Sequence, residues 1–315
     1  MSQSILVGGT IGIDTIITPK AKAEGVLGGS ASFASVAAKL FADHVELVSI
    51  VGQDFPSHYL ESLTAKNIGF DGVLRHPGPS FQWTGEYFDN MNQRRTLFAL
   101  DDVMVNWDIE VPEHLQELPI VVASCMVPDI QLKMLKQCRN SQLVLSDSMD
   151  KWLIRQPDWL ASVISLSHIT TMNEHEAKVF ANTSNIIEAG KFLLDKGAPY
   201  AIVKQGEYGA MLFARSENGK EPLMFRCPAW PLEELVDPTG AGDSFLGAMS
   251  GYLSTLTSGK LPDFDEMKRA VVYGTIAASF TCESFAADAL LEMTKDSFNK
   301  RLESYIHLVS LPTLV

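Results

Sequence analysis

Short apolar runs alternate with amphipathic stretches along most of the chain. Ile5-Leu6-Val7 predicts a strand. Gly28 to Ala42 predicts a helix, because Phe33, Val36, Ala37, Leu40 and Phe41 recur at i, i+3, i+4, i+7 and i+8. Val45 to Val51 predicts a second strand and Pro56 to Ala65 a second helix. Further on, Ile120–Ala123, Leu143–Ser146, His168–Met172 and Tyr200–Val203 are short and mostly apolar. Helical patterns separate them at Asp129–Cys138, Lys151–Val163, Glu174–Ala181 and Ile186–Lys196. Continuous apolar runs between helices indicate a largely parallel sheet covered on both faces. Three long amphipathic stretches close the chain, at Gly242–Leu256, Phe264–Phe280 and Lys295–Val309. Residues 80–100 break the pattern and predict two strands around the polar turn Asn90-Met91-Asn92-Gln93, with Ile13–Thr18 and Gly72–Leu74 as further strands. Such a patch is an edge extension or a lid over a site, and spacing alone favours neither.

Composition adds exclusions. The 315 residues are 46% hydrophobic and 20% charged, enough apolar surface to offset chain entropy. The formal net charge of −13 argues against nucleic acid and against an anionic membrane as partner. The apolar run Ile120–Val127 is too short to span a bilayer, and the opening MSQSILVGGTIGID lacks a basic leader region. Cys125, Cys138, Cys227 and Cys282 show no metal-ligand spacing and suit free thiols in a reducing compartment, so a cytoplasmic location is expected.

The segment richest in chemistry is Val236-Asp237-Pro238-Thr239-Gly240-Ala241-Gly242-Asp243-Ser244-Phe245. It runs into a helix whose apolar face is Phe245, Ala248, Met249, Tyr252, Leu253 and Leu256. Gly240, Ala241 and Gly242 therefore sit at a helix N-terminus, where backbone N–H groups stay open and the dipole favours negative charge. Asp243 lies in the first turn. On spacing alone two readings stand: a Gly-rich turn with Asp243 favoured by the dipole, or an anion-binding turn beside a proton-accepting carboxylate. The second is what phosphoryl transfer requires.

D-P-T-G-A-G-D-S-F resembles the second signature of the ribokinase-like (PfkB) carbohydrate kinases. The resemblance spans roughly residues 5 to 290 and implies a single domain over 1–315. It implies a three-layer α/β/α core with a mostly parallel sheet, and a small β-sheet lid from about 13–26 and 72–100. It makes Asp243 the general base and Gly240, Ala241 and Gly242 the anion hole. Gly28-Gly29 is similar to the family's first signature and approaches substrate, and Asp14 is similar to the acid that binds substrate hydroxyls. Asn173-Glu174-His175-Glu176 resembles N-x-x-E, which gives Asn173 and Glu176 the magnesium and phosphates. Lys204-Gln205-Gly206-Glu207-Tyr208-Gly209 resembles the loop bordering the nucleotide, which brings Lys204, Gly206 and Gly209 to ATP. The family sometimes uses a monovalent cation such as K⁺, here near Asp237 and Thr239. The lid is often its dimer contact, which implies a homodimer.

Each position also has a plainer role. Asp14 suits a turn, Asn173 a helix N-cap, Glu176 the acid of a capping box, and Lys204 a surface charge. Trp83 and Glu86 suit either substrate or packing within the lid. Two departures bear on substrate and nucleotide. Phe33 stands where the family usually has a sugar-binding Asn, and is either a substrate contact or core. Thr275 stands where some members place Asn beside adenine. The resulting expectation is an ATP- and Mg²⁺-dependent kinase acting on a hydroxyl of a small sugar, polyol or nucleoside. The alternative is a catalytically silent nucleotide- or sugar-binding regulator of the same fold. A dinucleotide-binding dehydrogenase is disfavoured, because Gly8, Gly9 and Gly12 have the wrong order for G-x-G-x-x-G.

Overall fold

Alternate residues of the central apolar strands face opposite layers of helices. In a computed structural model describing residues 2–105, 107–216, 221–256 and 260–310, Ile5 and Val7 join one apolar core while Leu6 joins another. Ile120 and Val122 separate from Val121 and Ala123 in the same way. A period-two strand that is apolar at every position must be covered twice, and helices do the covering.

In chain order the strands are β1 (Ile5–Gly8), β2 (Gly12–Ile17), β3 (Lys22–Gly28), β4 (Val45–Gly52), β5 (Ile68–His76), β6 (Phe81–Tyr87) and β7 (Arg94–Leu100). They continue with β8 (Ile120–Ala123), β9 (Leu143–Ser146), β10 (Ile169–Asn173), β11 (Tyr200–Lys204), β12 (Ala210–Ala214) and β13 (Leu223–Cys227). The large sheet runs β13-β12-β11-β10-β9-β8-β1-β4-β5. It is parallel from β11 to β5, with an antiparallel hairpin β12–β13 on one edge. Helices Ser30–Lys39, Ala241–Ser254 and Phe264–Thr281 cover one face. Pro128–Gln137, Pro157–Leu166 and Ile186–Asp195 cover the other. The three-layer α/β/α core with a mostly parallel sheet expected from the sequence is the architecture observed.

The small sheet runs β3-β2-β6-β7, with β2 and β6 parallel and the outer pairs antiparallel. Its β6–β7 hairpin turns where expected, around Asn90 to Gln93. Gly72–Leu74 does not join it; these residues lie in β5 and pair with β4 in the large sheet. The reason is topological: a helix (Ser57–Ala65) followed by a strand is a parallel crossover unit, and it completes before the chain leaves for the lid. The helix expected over Lys151–Val163 is two, Asp150–Arg155 and Pro157–Leu166, because Pro157 has no N–H to continue the first. No described helix is long and apolar enough to cross a membrane.

Candidate active site

The C-terminal ends of the parallel strands bring chemistry to one edge of the sheet, where open α/β sheets bind ligands. Asn173 and Lys204 end β10 and β11 in register. Asp147 follows β9, and Cys125 lies just past β8. The N-terminus of the 241–254 helix meets this edge: a Cβ on Gly242 would lie 2.9 Å from Lys204 Nζ. Gly240 caps that helix with φ +79°, a left-handed conformation that only glycine adopts cheaply. A Cβ there would also strike the Phe33 ring at 2.3 Å. The Ala241 N–H donates to Pro238 O. The Gly240 and Gly242 amides have no acceptor among the described residues, so two of the three expected anion-hole N–H groups are open.

The charges are concentrated. Lys204 Nζ donates to Asp147 Oδ2 at 2.5 Å, with Asp147 only 4% exposed. Burial alone would lower the ammonium, but Asp147 and then Glu176 hold it above the usual lysine range. Burial lifts the Asp243 carboxyl to about 7; Asp147 adds to the rise, while Lys204 and Arg94 oppose it. Glu176 is lifted to about 8 by burial and then by Asp147. Carboxyls held near neutrality are suited to accepting protons or meeting a cation.

The lid supplies the opposite wall. The β2 alternation turns Asp14 and Ile16 inward, and Asp14 is in register with Trp83 of β6. A Cβ on Gly28 would lie 2.1 Å from the Asp14 carboxyl, so the carboxylate lies flat against that glycine. Asp14 is 4% exposed, and its Oδ1 has no hydrogen-bond partner among the described residues. Burial lifts its carboxyl to about 8, with Asp237 and Asp243 adding to the rise and the Gly29 N–H opposing it. A buried carboxylate oxygen without a donor fits a hydroxyl-bearing ligand. The Tyr87 hydroxyl lies 3.0 Å from that of Thr239, joining the lid to the turn before the 241–254 helix. Arg94 of β7 holds its guanidinium 5.6 Å from the Trp83 ring and acts electrostatically on Asp14, Asp243 and Glu176.

Asp14, Gly28, Gly29, Gly240, Gly242, Asp243, Glu176, Asn173 and Lys204 are thus brought around one region. Asn173 and Glu176 do form the capping box anticipated as the plainer role: Glu176 N donates to Asn173 Oδ1 at 2.8 Å, and Asn173 N to Glu176 Oε2 at 3.0 Å. The box fixes the carboxylate within the charge cluster rather than removing it. Phe33 is core: it is 1% exposed, and its ring supports Gly240 from beneath. Asp237 is fully buried and accepts from Thr239 N at 2.8 Å and Ala286 N at 3.1 Å, tying two loops together. Gly206 and Gly209 flank the turn after β11, where Asn92 at the lid tip donates to Glu207 at 3.0 Å. The Thr275 hydroxyl donates to Val271 O at 2.9 Å and lies 3.4 Å from Cys227 Sγ. Trp83 donates to Thr96, and Glu86 pairs with Arg95, so both serve the lid itself.

Sequence reasoning missed Asp147, Tyr87 and Arg94. Asp147 had a usable signal, since it follows the apolar run Leu143–Ser146 at the ligand-binding end of a parallel strand. Tyr87 and Arg94 had none, because their roles depend on how the hairpin sits over the sheet.

A cytidine kinase of Thermococcus kodakarensis is 28% identical over 254 residues, 79% of this chain and 88% of the relative. A nucleoside kinase of Methanocaldococcus jannaschii is 25% identical over 279 residues, 88% of this chain and 86% of the relative. The crystal structure of an M. jannaschii nucleoside kinase, an archaeal member of the ribokinase family, superposes with a TM-score of 0.76 at 20% identity, covering 96% of this chain and 99% of that one. Residues 14–293 match the profile described as pfkB family carbohydrate kinase, and the chain therefore belongs to that family of sugar and nucleoside kinases.

Proposed function

We propose that this protein transfers the terminal phosphoryl group of ATP to a hydroxyl of a nucleoside, with Asp243 as general base. The carrying observation is Asp243 itself: a carboxyl lifted to about 7, one residue from the open Gly242 N–H and close to the Lys204 ammonium. A nucleoside, rather than a free sugar or polyol, is favoured by the names of the two relatives that cover most of the chain.

The site fits a magnesium–nucleotide complex. Open amides at a helix N-terminus beside a buried ammonium suit phosphate oxygens. Glu176 and Asp147 repel one another in a buried setting, a conflict that a divalent cation relieves. Asn173 and Glu176 would hold Mg²⁺ through water, and when bound it would neutralise phosphate charge. Asp14 accepts an acceptor hydroxyl through its unpartnered Oδ1 and orients the substrate. Asp243 removes the proton from the attacking hydroxyl. The Gly240 and Gly242 amides stabilise charge on the transferring group, and the lid excludes water. Asp237 and Thr239 are the place for a monovalent cation, tested by turnover with and without K⁺. The lid strand β7, with Leu97 49% and Phe98 50% exposed, is the proposed homodimer contact, tested by sedimentation.

The test is ADP release from MgATP across nucleosides, sugars and polyols. Turnover with one or more nucleosides is expected. Binding of nucleotide and nucleoside with no ADP release would favour the silent regulator instead. Against that alternative, Asp243, Asn173 and Glu176 are all retained.

A further inference from the structure

Lys204 is a side chain whose placement exceeds what bordering a nucleotide requires. Its side chain is only 15% exposed. An ammonium has three N–H donors, and among the described residues only Asp147 accepts from this one. The Nζ lies 2.9 Å from where a Gly242 Cβ would be, so it stands beside the start of the 241–254 helix and its open amide. It also acts on Asp243 and Glu176, the proposed base and metal organiser. A lysine used only to knit β11 to its neighbours has no reason to sit at a helix N-terminus, where the dipole disfavours a cation. That placement becomes favourable when an anion with several oxygens lies between the ammonium and the amides.

We propose that Lys204 is a catalytic residue: its ammonium completes the anion hole and holds an oxygen of the transferring phosphoryl group, with Asp147 as the positioning residue that aims it. The proposal rests on the kinase reading and adds a side-chain cation to its backbone donors. The chemistry is a point-charge contact. In the transfer, the bond from phosphorus to the leaving oxygen of ADP breaks and the bond to the acceptor oxygen forms. The acceptor proton goes to Asp243, and Lys204 stays protonated throughout. Asp147 keeps one N–H occupied and so fixes the direction of the other two.

The test uses the full chain and compares wild type with Lys204→Met and Lys204→Arg. Affinity for MgADP is measured by calorimetry with and without aluminium fluoride, which mimics the phosphoryl group in flight. Wild type is expected to bind MgADP more tightly when fluoride is present. Lys204→Met is expected to bind MgADP within a few-fold of wild type but to lose that gain, while Lys204→Arg recovers part of it. In turnover, Lys204→Met should lower kcat by about 100-fold, the scale of one lost oxyanion donor, with KM for ATP little changed. A methionine variant that keeps the fluoride gain overturns the proposal. So does one that loses MgADP binding in proportion, because Lys204 would then serve ground-state binding alone. Failure of wild type to bind MgADP, or to release ADP with any acceptor, instead overturns the kinase reading itself.

Discussion

The Tyr87 hydroxyl of the lid lies 3.0 Å from the Thr239 hydroxyl, one residue before the glycine that caps the 241–254 helix. Burial pushes the Tyr87 phenol up to about 12, so the hydroxyl keeps its proton at neutral pH. The lid thereby touches the turn before the 241–254 helix directly, and Thr239 is fixed in turn by Asp237. Tyr87→Phe should lower kcat about 3–10-fold, the worth of one neutral hydrogen bond of about 0.5–1.5 kcal/mol. Thr239→Val should do the same, and the double variant should be no worse than either single one. Additive losses in that double-mutant cycle would show that the two hydroxyls act independently.

Asp243→Asn separates chemistry from binding. The amide is close to isosteric but cannot accept the hydroxyl proton. Turnover should fall by about 10²–10⁴-fold, the usual scale of general-base catalysis. Calorimetry should find ATP bound with unchanged or tighter affinity, because one negative charge has left the phosphate site. Retained turnover would remove Asp243 from the mechanism.

Much of this candidate site is legible in the sequence. The Gly240-Ala241-Gly242-Asp243 turn announces itself because a helix N-terminus has a local signature: small residues, then an apolar face at helical spacing. The strand pattern around Ile120–Ala123 and Leu143–Ser146 was equally plain, since burial on both faces leaves no polar position to blur it. Phe33 was ambiguous because an aromatic at helical spacing reads the same whether it meets a ligand or the underside of Gly240. Tyr87 and Arg94 were invisible for another reason. Their partners are 152 residues away in Thr239 and across the fold in Asp14 and Glu176, and no local pattern encodes a contact of that range.

Gly28 is a close-approach position whose replacement should act on substrate and not on nucleotide. A methyl group there would stand 2.1 Å from the Asp14 carboxyl, and that side chain must move. Gly28→Ala should raise KM for the hydroxyl substrate about 3–10-fold, the range of one hydrogen bond at about 0.5–1.5 kcal/mol. KM for ATP should stay within about two-fold, since Gly28 is remote in role from the phosphate donors. Equal loss of both would mean that the change had disturbed the lid as a whole.

The pH profile tests the electrostatic arrangement. A base with a carboxyl near 7 must lose its proton before it can act, so kcat/KM should fall as pH drops below about 7. Asp147 is the neighbouring charge that raises Asp243 most, after burial. Asp147→Asn should therefore move the acid limb to lower pH, whatever it does to the maximal rate. A limb that stays in place would assign it to another group.

Ligand-free stability should carry the same imprint. Asp14 and Glu176, at about 8, and Asp243, at about 7, hold protons more tightly in the fold than in the unfolded chain, where Asp and Glu sit at 3.8 and 4.5. From about pH 4 to 8 the native state thus binds more protons than the unfolded state, and stability falls as pH rises through that window. The Tm of the ligand-free protein should drop by several degrees between pH 5 and 8, at roughly 2 °C per kcal/mol for a chain of this size. Growing net charge above the pI of about 5.0 would push the same way, so a control is needed. Asp14→Asn removes one buried titrating carboxyl and should flatten the fall, whereas Glu303→Gln, on the exposed face of the last helix, removes the same charge and should not. If both variants flatten it equally, general charge repulsion accounts for the slope and the site carboxyls do not.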